Sequence, residues 1–128
     1  MTRKVVRTTT APTPVGPYSQ AVVLDGWLWT SGQVALDPIT GQIVGHDAAA
    51  QVERTLQNIK AILEAGGSSL SQVVRAAVYL TNMDDFASVN AVYAKYFPSN
   101  FPARVCVEVS RLPLGALVEI DVTARVAA

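Results

Sequence analysis

The sequence has little cysteine, histidine and charge, and each shortage excludes a class of function. One cysteine and one histidine among 128 residues can form neither an internal disulfide nor a structural zinc site. Charged residues make up only 16%, against about 25% in an average domain. Ten basic and ten acidic residues cancel, and no run of lysine or arginine occurs, so charge gives no support to nucleic-acid binding.

Long apolar runs are also missing, although 50% of the residues are hydrophobic. No segment approaches the roughly 18 consecutive apolar residues of a membrane span, and no signal-peptide-like run follows the charged start Met1 to Lys4. A single cysteine fits a reducing compartment, and we therefore expect a cytoplasmic protein. We also expect one domain over residues 1–128, with apolar surface buried between subunits because a monomer would be poor in surface charge.

The hydrophobic periodicity predicts a two-layer α+β domain. Asp25-Gly26 between two β-prone runs indicates a hairpin. Asp47 is the expected N-cap of the first helix, and Gly66-Gly67 its left-handed C-cap. Whether the last two strands pair stays open. The predicted elements are a short strand at Val5-Val6, strands at 21–24 and 27–30, a helix at 48–65, a strand at 73–80, a helix from Asp84 or Asp85 to before Pro98, and strands at 101–109 and 117–126.

The strand from Phe101 to Val109 carries the first candidate binding residue. Its three valines alternate with Arg104, Cys106 and Glu108, so we expect the valines to face the core and the other face to carry chemistry. A guanidinium held on a strand is a fork of donors suited to a carboxylate, which suggests a small anionic ligand. Cys106 is expected to be a small apolar side chain rather than a nucleophile.

The last strand places two carboxylates, Glu119 and Asp121, on one face, alternating with apolar residues. The residues alone favour a solvated or arginine-paired carboxylate over a catalytic one. An ion pair with either carboxylate is accordingly the structural alternative for Arg104.

Two short motifs flank the predicted hairpin. Gly16-Pro17-Tyr18-Ser19-Gln20 holds Tyr18 rigidly near the start of a strand, where a core ring with a satisfied hydroxyl is an equal alternative to a binding role. Thr30-Ser31-Gly32-Gln33 ends the second strand, and Gly32 there allows a backbone bend or the close approach of a ligand. Ser31 lacks a Gly-x-Ser-x-Gly frame, so an acyl-enzyme mechanism is disfavoured.

Four motifs in one order carry a family resemblance: Gly-Pro-Tyr-Ser-Gln at 16–20, Thr-Ser-Gly-Gln at 30–33, Phe-Pro-Ala-Arg at 101–104 and Val-Glu-Ile-Asp at 118–121. Over essentially its whole length the chain resembles the reactive intermediate deaminase (Rid) family, RidA subgroup. The resemblance implies a chorismate-mutase-like α+β fold with two helices on one face of a mixed sheet. It also implies a homotrimer with three active sites between subunits.

The activity that the resemblance implies is the hydrolysis of 2-imino acids to 2-keto acids and ammonia, without cofactor or metal. Such imines are tautomers of enamines, for example 2-aminoacrylate, that pyridoxal-phosphate-dependent enzymes release. By the same resemblance Arg104 clamps the substrate carboxylate, Glu119 positions the attacking water and moves protons, and Tyr18 closes the pocket. The other implied substrate contacts are Ser31, Gly32 through its carbonyl, Asn90, and Cys106 through its N–H.

Other functions stay open from the sequence. A non-catalytic regulatory trimer could hold a keto acid or another small carboxylate with Arg104. Older labels of the same family include ribonuclease, translation inhibitor and chaperone-like protein. The neutral net charge and the lack of a histidine pair argue against the first two, whereas the many apolar residues are compatible with a secondary chaperone-like activity.

Overall fold

The computed structural model describes residues 2–126, and this part of the chain forms six strands and two α-helices. They follow the predicted order. The strand predicted at 101–109 begins two residues later and ends one residue earlier, and the last strand is one residue shorter at each end than predicted. The second helix begins at Phe86, one residue after the later of its two predicted starts. Within these residues no helix combines the length and hydrophobicity needed to cross a membrane. The bounds are β1 Lys4–Val6, β2 Ala21–Leu24, β3 Trp27–Thr30, α1 Ala48–Ala65, β4 Val73–Leu80, α2 Phe86–Tyr96, β5 Ala103–Glu108 and β6 Val118–Arg125.

The six strands form one mixed sheet in the order β1-β2-β3-β6-β4-β5. All neighbours are antiparallel except β4 and β5, which run parallel. A parallel pair needs a crossover connection, and α2 supplies it. The last two strands therefore do not pair with each other. β6 lies between β3 and β4, and β5 lies at the edge of the sheet beyond β4.

Local signals produce the β2–β3 hairpin and both ends of α1. Asp25 and Gly26 have φ angles of 53° and 80°, the left-handed pair that a two-residue hairpin turn requires. The Asp47 side chain accepts a hydrogen bond of 2.8 Å from the Ala50 N–H, which confirms the predicted N-cap. Gly67 has a φ of +83° and supplies the predicted left-handed C-cap.

Both helices pack on the same face of the sheet, which confirms the predicted two-layer α+β architecture. Alternate residues of β4 and β6 are buried beneath them, while Glu119, Asp121 and Thr123 point to the opposite, open face. The apolar stripe of α1 covers the same core. The buried residues at the centre of this layer are Val52, Leu56, Ile59, Leu63, Ala76, Val78, Leu80, Val118, Ile120 and Val122.

The expectation that the valines of β5 face the core is wrong for the chain by itself. Val105 and Val107 are 37% and 39% exposed, whereas Cys106 is half-buried and packs against the core beneath the helices. Cys106 pairs with Val78 of β4, and Val105 pairs with Ala77. Alternation along a strand separates two faces, but the position of α2 decides which of them is covered.

Candidate active site

The predicted site residues fall into two clusters that lie apart within one chain. The first is a cleft of about 360 Å³ between the N-terminal segment, the end of β3 and the loop before β6; we call it the Glu119 cleft. Tyr18, Ser31 and Gly32 also line it. The second is a surface of α2 and β5 that holds Arg104, which we call the Arg104 platform.

Gly32 and Glu119 approach each other closely in the Glu119 cleft. A backbone bridge fixes this part of the cleft: the Gln33 N–H donates to the Ile120 carbonyl at 2.8 Å, and the Ile120 N–H donates to the Gln33 carbonyl at 3.0 Å. A Cβ atom at position 32 would lie 2.9 Å from Glu119 Cδ and 3.0 Å from its Oε2. The sequence suggested a backbone bend or a ligand close to Gly32. In the structure the group that approaches Gly32 is the Glu119 side chain.

Burial and a neighbouring charge both act on Glu119. Burial raises the pKa of its carboxyl group, and the carboxylate of Asp121, two residues along the same face, raises it further. Tyr79 lies opposite Glu119 on β4, and its hydroxyl donates a hydrogen bond of 3.2 Å to Asp121 Oδ2. Burial and Asp121 also raise the pKa of Tyr79, so its hydroxyl stays a donor. A carboxyl group with a raised pKa is suited to exchanging protons near neutral pH.

Tyr18 lies at the cleft and is exposed, so the alternative of a core ring is wrong. Its hydroxyl accepts a hydrogen bond of 3.1 Å from the Val15 N–H. Ser31 connects this segment to the end of β3, because its hydroxyl donates to the Ser19 carbonyl at 2.5 Å and its N–H donates to the Gln20 carbonyl at 2.9 Å. Ser31 therefore shapes the cleft wall through its own hydrogen bonds.

Gln20 fixes the same wall from inside, and sequence reasoning missed it. Its buried side chain accepts from the Thr8 N–H at 2.8 Å and donates to the carbonyls of Thr8 at 3.0 Å and Pro12 at 2.9 Å. The N-terminal segment is thereby held against β2. The available signal was an amide side chain immediately before the apolar strand at Ala21, where burial would require partners.

The Arg104 platform consists of Arg104 and three side chains of α2. Arg104 Nη1 donates a hydrogen bond of 2.8 Å to Asn90 Oδ1. The guanidinium carbon lies 4.8 Å from the centre of the Tyr93 ring and 5.5 Å from that of Phe86, within the range of cation–π attraction. A guanidinium has five N–H donors, and the bond to Asn90 uses one, so the oriented group can bind a carboxylate in two-pronged fashion.

Sequence reasoning placed Asn90 in the pocket but missed the two rings of the platform. Phe86, Asn90 and Tyr93 follow one another at helical spacing of four and three residues, which puts them on one face of α2. That spacing was the available signal. Cys106 lies two residues after Arg104, and burial raises the pKa of its thiol although Arg104 opposes this. The thiol therefore remains protonated and a poor nucleophile.

Arg104 and Glu119 lie on opposite faces of the sheet. Arg104 pairs with Ala76, whose side chain is buried under the helices, whereas Glu119 pairs with Tyr79 on the open face. The structural alternative for Arg104, an ion pair with Glu119 or Asp121 of the same chain, is therefore wrong. One cluster presents an oriented cation, and the other presents a carboxyl group with a raised pKa.

Comparisons with known proteins match nearly the whole chain. Residues 8–126 match the family described as Endoribonuclease L-PSP. A RutC family protein of Pyrococcus horikoshii is 52% identical over 122 residues, which are 95% of this chain and 97% of that protein. The human protein named 2-iminobutanoate/2-iminopropanoate deaminase is 43% identical over 95% of this chain and 89% of its own length.

A solved structure shares the fold closely. The crystal structure of a member of the conserved Rid protein family from Yersinia pestis superposes with a TM-score of 0.95 at 44% identity, covering 98% of this chain and 100% of that one. The family match spans all the described elements except β1, which precedes residue 8. The chain belongs to the Endoribonuclease L-PSP family, which includes imine deaminases and Rid proteins.

Proposed function

We propose that this protein hydrolyses 2-imino acids to 2-keto acids and ammonia at sites formed between copies of the chain in a homotrimer. One observation carries the proposal: the Arg104 platform and the Glu119 cleft each have contacts of their own, yet they lie on opposite faces of one sheet. Only a second copy can bring the two together. The name of the human relative supports the choice of substrate.

In the proposed site each cluster has one task. Arg104 of one copy binds the substrate carboxylate, oriented by Asn90 and the two rings beneath it. This places the C=N carbon beside Glu119 of a second copy, while Tyr18 closes the cleft. Fixing the geometry supplies most of the acceleration, because a protonated imine already reacts with water.

Proton transfer is the task of Glu119. Its carboxylate takes a proton from water as the oxygen bonds to the imine carbon and the C=N pair moves to nitrogen. Glu119 then returns that proton to the nitrogen of the tetrahedral intermediate, the C–N bond breaks, and ammonia leaves with its electron pair. The Glu119 carboxylate takes the hydroxyl proton as the carbonyl forms and passes it to the departing ammonia. The raised pKa of Glu119 keeps it able to hold the proton between the two steps.

The exposed surface supports assembly of several copies. Val105 and Val107 form an apolar strip on the open face of the sheet, and β5 is an edge strand. A contact that joins two different surfaces of neighbouring copies closes into a ring when the rotation allows. Three such contacts would give three equivalent sites and cover the apolar strip.

The test is release of keto acid and ammonia when 2-iminopropanoate is generated in situ. Wild type is expected to accelerate release, Arg104→Ala is expected to lose the acceleration, and Arg3→Ala, which removes an exposed arginine, is the control. A correctly assembled wild type without acceleration would overturn the proposal. Binding of a 2-keto acid under those conditions would instead favour the non-catalytic carboxylate-binding trimer.

A further inference from the structure

The loop before β6 contains a leucine in a backbone conformation that is unusual for it. Leu114 has a φ of 60° and a ψ of 21°, and the next residue, Gly115, also has a positive φ, of 69°. Glycine adopts this region freely, but a leucine is strained there because its Cβ crowds the backbone. Such strain persists where the surroundings impose it, and it is frequent at ligand-binding sites.

The residues on either side of the turn are fixed, whereas the Leu114 side chain is free of the core. Leu112 and Ala116 pack with Val34 and Leu36 in a small apolar cluster. Leu114 lies between them in sequence but is 59% exposed. The strained turn thus holds the apolar side chain of Leu114 outside the nearest apolar cluster.

Leu114 is instead part of the Glu119 cleft, whose exposed surface is mostly apolar. Pro113 and Leu114 line the cleft together with Val15 and Tyr18. Leu114, Val15 and Tyr18 are large hydrophobic residues with exposed side chains. Glu119 is the single charged residue among the described residues that line the cleft. From this chain, a ligand in the cleft therefore meets one carboxyl group and otherwise apolar or uncharged groups.

We propose that Leu114 is a specificity-determining residue that contacts the side chain of the substrate and selects 2-imino acids with apolar side chains. The inference rests on the proposed function. An apolar side chain gains contact with Leu114 and Val15. An acidic side chain would instead be desolvated beside the carboxyl group of Glu119 without a cation of its own, because Arg104 of the second copy is occupied by the substrate carboxylate. One methylene group in an enclosed apolar pocket changes kcat/KM by about tenfold or more, and Leu114, which is 59% exposed, should contribute less than that.

The experiment compares imino acids generated in situ from leucine, alanine and glutamate by amino-acid oxidases. Leu114→Asn is the test variant, because asparagine has a similar size and tolerates a positive φ. Wild type is expected to prefer the leucine-derived imine to the glutamate-derived one. Leu114→Asn should lower kcat/KM for the leucine-derived imine about three- to tenfold and leave the alanine-derived imine within about twofold.

Two further variants separate side-chain contact from other effects. Ile39→Asn makes the same kind of change at a residue that is 93% exposed and outside the Glu119 cleft, and it should alter none of the three reactions. Leu114→Gly keeps the backbone conformation without a side chain and should reproduce the selective loss. Equal rates for Leu114→Asn and wild type, or an equal loss on all three imines, would overturn the inference. A wild type that hydrolyses none of them rejects the proposed function itself.

Discussion

The close approach of Gly32 to Glu119 gives a prediction that separates activity from stability. In Gly32→Ala the added Cβ would lie 2.9 Å from Glu119 Cδ, whereas ordinary contacts begin at 3.4 Å. The carboxyl group must therefore move by about 0.5 Å, since the strand bridge beside Gly32 resists movement of the backbone. Gly32 does not have a positive φ, so alanine introduces no backbone strain.

The expected effect on rate follows from that displacement. A misplacement of about 1 Å in a catalytic group lowers a rate about a hundredfold. A shift of half that size should lower kcat about tenfold, with KM little changed because Arg104 lies on the other cluster. The assay is ammonia release from 2-iminopropanoate, and a crystal structure of the variant measures the displacement of the carboxyl group.

Gly41 provides a control with the opposite properties. A Cβ at Gly41 meets nothing within 4 Å, but its φ is +70°, so Gly41→Ala should lower the free energy of unfolding by about 1 kcal/mol and leave kcat unchanged. Gly32→Ala should lower kcat and leave the free energy of unfolding nearly unchanged. Full kcat in Gly32→Ala with Glu119 in its wild-type position would refute the reasoning.

Three other substitutions test single contacts. Asp121→Asn removes the charge that helps raise the pKa of Glu119, so the acid limb of the kcat/KM profile should move to lower pH; an unmoved limb would contradict this. Asn90→Ala frees the Arg104 guanidinium and should raise KM about tenfold, as expected for a lost hydrogen bond to a charged group, with kcat nearly constant. Asp47→Ala removes an N-cap bond and should lower the free energy of unfolding by about 1 kcal/mol in urea at fixed protein concentration, without changing activity.

Elements fixed by local interactions could be predicted from the sequence. The Asp25-Gly26 hairpin and the α1 helix with its Asp47 cap depend on residues a few positions apart, and the structure confirms them. The place of β6 between β3 and β4 depends on pairing between distant segments, for which the sequence carries no local signal. The buried face of β5 was predicted wrongly because the covering layer, α2, is also a matter of tertiary packing.

The residue types of the candidate site could be predicted, but not their grouping. The family motifs identified Arg104 and Glu119, and both strands show clear alternation. Their placement on opposite faces follows only from the register, which sets Arg104 opposite Ala76 and Glu119 opposite Tyr79. The helical spacing of Phe86 and Tyr93 could be seen in the sequence. Their contact with Arg104 could not be predicted, because it depends on the packing of α2 beside β5.

The most direct test of a site shared between copies is activity regained by mixing two inactive variants. Arg104→Ala and Glu119→Gln, each expected to be inactive alone, are co-expressed in equal amounts with different tags. All trimers, mixed and unmixed, are purified and assayed as one pool, and the two tags show that mixed trimers have formed. Each site needs an intact Arg104 from one copy and an intact Glu119 from another, so random assembly should restore about one quarter of the wild-type activity. Mixed trimers no more active than the separate variants would contradict the account.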